Sequence, residues 1–188
     1  MPIIQNTPPA VEPISLAEVK AHLRILHSDE DGALIRFVAA ARHDIENRTG
    51  LHLITQNWSQ FFDSWPNCGY LPLSLSPIIA VTDVKIYGDD DVAAPIDPAH
   101  YYLDRLSRPS RLTMRNGRWL PQPGRSLSGI EVVLSLGFGP TADAVPQPLR
   151  EAILLRAGHW YANRGDDAKA AEPLAVASLI ETYRRVRL

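Results

Sequence analysis

The chain has 188 residues, the length of one ordinary domain with room for extended arms or a small insertion. Apolar residues at 45% and charged residues at 21% are globular values, and they exclude collagen, wholesale disorder and low-complexity scaffolds. The formal net charge of −2 argues against a whole-molecule nucleic-acid binder, which is usually basic. Cys68 has no second cysteine to pair with, so no internal disulfide or Cys-rich zinc site is expected and nothing demands an oxidising compartment. The first residues lack a signal-peptide pattern, and no apolar run reaches about 18 residues. The expectation is a soluble cytoplasmic protein.

Met1–Pro13 carries four prolines, which remove backbone donors and favour an extended arm over residues 1–14. Ser15-Leu16-Ala17-Glu18 has the spacing of a capping box opening a helix. Leu16, Val19, Leu23 and Leu26 supply its apolar stripe. Ser28 is placed to cap a second helix, with Asp29, Glu30 and Asp31 at the positive end of its dipole. Leu34, Ile35, Val38, Ala41 and Ile45 follow at helical spacing, and Gly50 suits the C-terminal stop. From Leu53 the period changes to that of strands. Strands are expected over 53–63, around Leu71–Leu75 as an edge, over 79–87 before the Gly88–Asp91 turn, and over 101–105, 111–115 and 130–136. Pro148 suits the first turn of a third helix, whose apolar residues point to cover on more than one side. Pro173 opens a fourth.

The fold class read from this order is α+β: an N-terminal helical hairpin and two C-terminal helices form a helical bundle, with a small antiparallel β region inserted between them. The bundle takes residues 15–52 and 145–188, and the β region 53–144.

The sequence offers little for catalysis. None of the six histidines stands at a metal-ligand spacing, and His159 lies inside an apolar helical stretch. Gly124-Arg125-Ser126-Leu127-Ser128-Gly129 misses the nucleophile-elbow pattern by one position and precedes a strand where the elbow needs a helix. Asp89-Asp90-Asp91 lacks the alternating ligands of a calcium loop. No catalytic residue, cofactor or metal is therefore expected. One charge pattern stands out: Arg105, Arg108, Arg111, Arg115, Arg118 and Arg125 lie within 21 residues with no acid among them. Such a set suits phosphate or an acidic partner, and equally suits solvated strand edges that resist aggregation. Arg184, Arg185 and Arg187 carry the same ambiguity. A small enzyme using Ser126 or Cys68, and a nucleic-acid-binding module using Arg105–Arg125, stay open as alternatives.

Four stretches together resemble a known family. They are residues 15–25, the run from Ala33 through Ala39-Ala40-Ala41-Arg42 to Thr49-Gly50, the run from Val145-Pro146 through Trp160-Tyr161-Ala162-Asn163-Arg164, and the closing Leu179 with Tyr183–Arg187. Their order is similar to that of the tailed-phage head–tail connector (adaptor) proteins, also found in prophages and gene-transfer particles. The similarity covers roughly residues 14–63 and 145–187; the middle matches only in kind. It implies a structural protein, not an enzyme. Such proteins form a ring of commonly about twelve copies under the portal protein, extend the DNA channel, and dock neck or tail-completion proteins. DNA passes without sequence readout, and no membrane is involved. The resemblance places the protein at the neck of a virion or phage-like particle, with assembly in the bacterial cytoplasm. Arg105–Arg125 would then line the channel or meet an acidic neighbour. Tyr183, Arg184, Arg185, Arg187 and Leu188 would contact the portal.

Overall fold

A computed structural model describes residues 1–115, 121–164 and 173–184. Among them are eight strands and four α-helices. In chain order they are β1 (Ile3–Thr7), α1 (Leu16–Leu23), α2 (Asp31–Thr49), β2 (Gln56–Phe62), β3 (Tyr70–Leu73), β4 (Ile78–Tyr87), β5 (Ala93–Pro95), β6 (Tyr101–Asp104), β7 (Ser110–Met114), β8 (Ile130–Leu136), α3 (Gln147–Ala162) and α4 (Leu174–Glu181). No described helix is long and apolar enough to cross a membrane.

The expectation of a helical bundle with a small β insertion is overturned. The chain is mixed α and β, and its strands form two antiparallel sheets. Contacts divide it into a β unit, Met1–Pro8 with Thr55–Gly137, and a helical unit, Pro9–Ile54 with Phe138–Leu188. Each unit has its own apolar core. The physical reason is that the alternating segments are numerous enough to close a core without help from the helices. A five-stranded sheet, in the order β1-β2-β8-β4-β5, and a three-stranded sheet, β3-β7-β6, contribute to one buried cluster. Leu71 and Leu73 of β3, Leu112 of β7, Val84 of β4 and four residues of β8 are sealed in it.

Strand β8 organises this unit. Ile130, Val132, Leu134 and Leu136 are fully buried, because successive side chains alternate faces and these four share one. The other face carries Glu131. There Ser59 donates to Glu131 Oε1 at 2.6 Å, Tyr87 donates to Oε2 at 2.7 Å, and Lys85 lies 3.4 Å away. Burial opposes the Glu131 charge, but these donors outweigh it and hold its pKa below the ordinary value. Strand β1, within the expected arm, pairs antiparallel with β2 and is exposed along its whole length.

In the helical unit, Ser15 caps α1 and Glu18 returns the bond to the cap amide at 2.8 Å, completing the expected capping box. Arg24 then takes a left-handed conformation that ends the helix. Leu26 falls beyond it and is 98% exposed, so it is not part of the stripe. Helix α2 starts at Asp31 with Glu30 at the cap and no side-chain capping bond, not at Ser28. Helix α3 packs against α1, α2 and α4. Cover from within the same chain thus accounts for its apolar character. Gly158 of α3 faces the end of α1, where a Cβ would lie 3.4 Å from both His22 and Leu23.

Candidate functional site

The arginine segment winds through the β6–β7 hairpin and the loop leading to β8. Structure divides its members sharply. Arg111 is folded back, with Nη2 2.8 Å and Nε 3.2 Å from Asp104 Oδ2. Its guanidinium also lies 5.1 Å from the Tyr70 ring centre. Arg115 donates from Nε to the Tyr101 carbonyl at 2.8 Å and lies over Tyr102. Arg125 stacks 3.7 Å above Tyr87, donates to the Ser128 carbonyl at 3.0 Å and reaches Asp91 at 3.4 Å. These three are occupied in holding loops to strands. Arg118 lies outside the described residues.

Arg105 and Arg108 differ. Both are exposed in the turn between β6 and β7, and Leu106 between them is 94% exposed. The turn is nevertheless well ordered. Asp104 accepts from the amides of Leu106 and Ser107 at 2.9 and 3.2 Å and from the Ser107 hydroxyl at 2.6 Å. The Ser107 hydroxyl bond, then Arg111, pulls the Asp104 pKa far below the carboxylate range. A local Asx-type network of this kind stiffens a turn. The hairpin therefore presents an apolar tip flanked by two open cations.

At the C-terminus, Tyr183 is half-buried against the helical core. Arg184 is exposed and sits 3.2 Å from Glu181. Arg185, Arg187 and Leu188 lie outside the described residues.

The near-miss motif has a packing explanation. The Gly124 amide donates to the Tyr87 carbonyl at 2.9 Å, and a Cβ on Gly124 would come 2.2 Å from the Asp89 nitrogen. Glycine is needed for that approach. Ser126 is exposed, and exposed Cys68 makes a 3.5 Å sulfur contact to the Tyr70 carbonyl. Among the described residues no group of three or more His, Cys, Asp and Glu is placed to hold a metal ion.

Two further arginines escaped the sequence reading. Arg150 donates to the Pro13 carbonyl at 3.1 Å and to Glu18 at 2.6 Å, tying the segment before α1 to α3. Arg42 is buried between Glu12 and Glu46. The i,i+4 spacing of Arg42 and Glu46 is a visible signal, whereas the contacts with Pro13 and Glu12 bring together residues far apart in the chain.

Comparison with known proteins connects this architecture to one class. Residues 13–88 match the family model described as phage gp6-like head-tail connector protein. No curated protein matches the chain. Among solved structures, the chain is similar to one from the neck of an empty gene transfer agent (GTA) particle computed with C6 symmetry. That likeness has 28% identity and a TM-score of 0.86, covering 100% of this chain and 97% of the other. A chain from the virion of a native GTA particle gives 28% identity and a TM-score of 0.84 over the same coverage. A third, from the neck of a native GTA particle computed with C12 symmetry, gives 30% identity and a TM-score of 0.77, covering 98% of this chain and 97% of that one. With both N-terminal helices, α1 and α2, inside the matched region and whole-length likeness to neck chains, this protein belongs to the phage head–tail connector family.

Proposed function

We propose that the chain is a structural, non-catalytic neck protein of a phage-like particle, and that its copies close into a ring beneath the portal. The observation that carries this reading is the whole-length likeness, at up to 30% identity, to chains from GTA necks. The C6 and C12 symmetries of those necks favour a ring of six- or twelve-fold order. Head-to-tail packing of one subunit on the next closes by rotation. DNA passes through the lumen, meeting cations loosely, because many tight phosphate contacts would hold it back. Arg105, Arg108, Arg111, Arg115, Arg118 and Arg125 belong to a surface that meets phosphate or an acidic neighbour, with Arg105 and Arg108 its open cations. Tyr183, Arg184, Arg185, Arg187 and Leu188 dock on the portal protein. Neck or tail-completion proteins bind the opposite rim, and assembly takes place in the bacterial cytoplasm.

Native mass measured with and without portal complexes tests the reading. A ring of twelve copies of a 20.8 kDa chain, about 250 kDa, alone or on portals, is expected. A chain that stays monomeric and ignores portals overturns it. Removing the last five residues should leave the fold intact and abolish portal binding; unchanged binding removes the C-terminal assignment alone.

A further inference from the structure

The β unit carries a projection and a recess at opposite ends of one hairpin. The projection is the β6–β7 tip, with Leu106 94% exposed and Arg105 and Arg108 open beside it. From Arg105 to Arg111 there are three arginines and no acid. The recess is an open cavity of about 610 Å³ walled by Ile86, Ala94, Pro95, Ile96 and Met114, with Asp97 on its lining. Met114 ends β7, about 13 Å along the strand from the tip at a rise near 3.3 Å per residue. Tip and recess therefore cannot meet within one copy.

Their chemistry matches. The recess is mainly apolar, as a buried leucine requires. The chain around it is acidic: from Asp83 to Asp97 there are five aspartates against one lysine. Burial, then the charges of Asp83 and Asp97, push the Tyr101 phenol up, so both carboxylates act on the end of the hairpin that faces the recess. Asp91 is already met by Arg125 at 3.4 Å; Asp97 accepts the Ala99 amide through Oδ1 at 2.8 Å, is exposed and lines the recess itself. The other wall is β5, a three-residue edge strand exposed throughout. A projection and a complementary recess on different parts of one surface make a heterologous contact, the type that closes rings.

We infer that the β6–β7 tip of one copy seats in the recess beside β5 of the next, Leu106 entering the apolar wall and Arg105 and Arg108 facing Asp97 and its acidic surroundings. The partner is a second copy of this chain, and the contact repeats around the ring. This deepens the ring reading and rests on it. The Asp104 network has a defined part: it sets the turn before contact, so little conformational freedom is lost on docking.

The test uses the full chain, with portal complexes if the ring needs them. In a Cys68→Ser background, Leu106→Cys and Ala94→Cys are combined in one chain and the assembled ring is mildly oxidised. A ladder of covalent multimers up to the full ring is expected, and neither single cysteine should give one. Separately, Leu106→Asp should lower the fraction of chain in rings at least tenfold with an unchanged melting temperature, because the side chain is solvent-exposed in the free subunit. Arg105→Glu with Arg108→Glu should do the same, and adding Asp97→Arg should restore assembly. Normal ring assembly by Leu106→Asp, together with no ladder from the double-cysteine chain, overturns the inference and leaves the ring reading standing. A wild-type chain that forms no ring in any condition overturns both.

Discussion

The guanidinium of Arg42 lies 2.7 Å from the Glu46 carboxylate, one turn further along α2, with the two side chains 5% and 7% exposed. Glu12 approaches the same guanidinium at 2.8 Å, and the second oxygen of Glu46 accepts the Leu53 amide at 2.9 Å. The group thus fastens the segment before α1 and the segment after α2 to one point. Burial works against the Arg42 charge, but Glu12 and Glu46 more than offset it and raise its pKa. Arg42→Ala strands the Glu46 carboxylate in the core, a change that costs about 3 kcal/mol or more. Glu12→Gln, at a partly exposed partner, should cost under about 1 kcal/mol. Urea unfolding of the two variants checks the ordering. Equal losses would show that Arg42 contributes through packing of its stem alone.

A second cluster makes stability depend on pH. Glu30, the residue before α2, accepts from the Tyr161 hydroxyl and from Arg164 Nη1 near the end of α3. The Arg164 bond, then the Tyr161 bond, lowers the Glu30 pKa from 4.5 to about 2. A carboxyl depressed in the folded state binds its proton more readily when unfolded. Its contribution is therefore complete above about pH 4.5 and is lost as pH falls through about 2. Arg164→Ala should leave a melting temperature that falls less between pH 5 and pH 2.5 than the wild type's. The cluster is exposed, so the difference is small and should shrink in high salt. Parallel curves for the two proteins would remove Glu30 as the titrating group.

Much of the fold was legible in local pattern. The capping box at Ser15, β4, and the boundaries of β8 at Ile130 and Leu136 follow from short-range spacing. Strand β1 was not visible as a strand because all five of its residues are exposed, so no alternation marks it. Its order comes from pairing with β2, fifty or more residues away. Strand β5 is three residues ending in proline, too short to show a period. The β region was placed close to its true extent, but its standing as a unit with two sheets and its own core was missed, because which sheet a strand joins depends on partners far apart in the chain. Proline and glycine between strands look like interruptions of structure, whereas here they turn the chain from one sheet to the other. The arginine segment was legible as a charge run and not as a site. Asp104 stands just outside the acid-free stretch and Asp91 reaches Arg125 across 34 residues. A sequence window therefore shows six cations, whereas of the five described ones Arg111, Arg115 and Arg125 are engaged within the fold and Arg105 and Arg108 stand exposed at the hairpin tip.

Gly124 tests whether its neighbourhood is packing or chemistry. A methyl group there would meet the Gly88 carbonyl carbon at 2.6 Å and the Asp89 nitrogen at 2.2 Å, both backbone atoms that cannot swing aside. Gly124→Ala must push the loop off the β4–β5 turn, at a cost of about 1–3 kcal/mol. Ser126→Ala, at an exposed position, should be neutral within about 0.5 kcal/mol. Thermal unfolding of both variants checks this. A neutral Gly124→Ala would mean that the loop does not hold this approach in solution.

Removing Met1–Thr7 isolates the role of β1. The strand buries no side chain, so its loss forfeits little apolar burial. What it supplies is a backbone ladder along β2, reinforced by side-chain bonds from Gln5 Nε2 to Gln56 Oε1 and from Asn6 Nδ2 to Ser59 Oγ, both 2.8 Å. Without it β2, Gln-Asn-Trp-Ser-Gln-Phe-Phe, becomes the edge of the sheet. It carries no charge and no proline, the features that keep an open edge from pairing with another chain. The truncated protein should keep its secondary structure and self-associate as concentration rises, giving a light-scattering mass well above the wild type's under matched conditions. A truncated chain as monodisperse as the wild type would show that β1 is not the guard of that edge. Adding Asn57→Lys, at a half-buried position of β2, to the truncation should restore solubility if the open β2 edge is the cause, because a charge on an open edge blocks strand pairing.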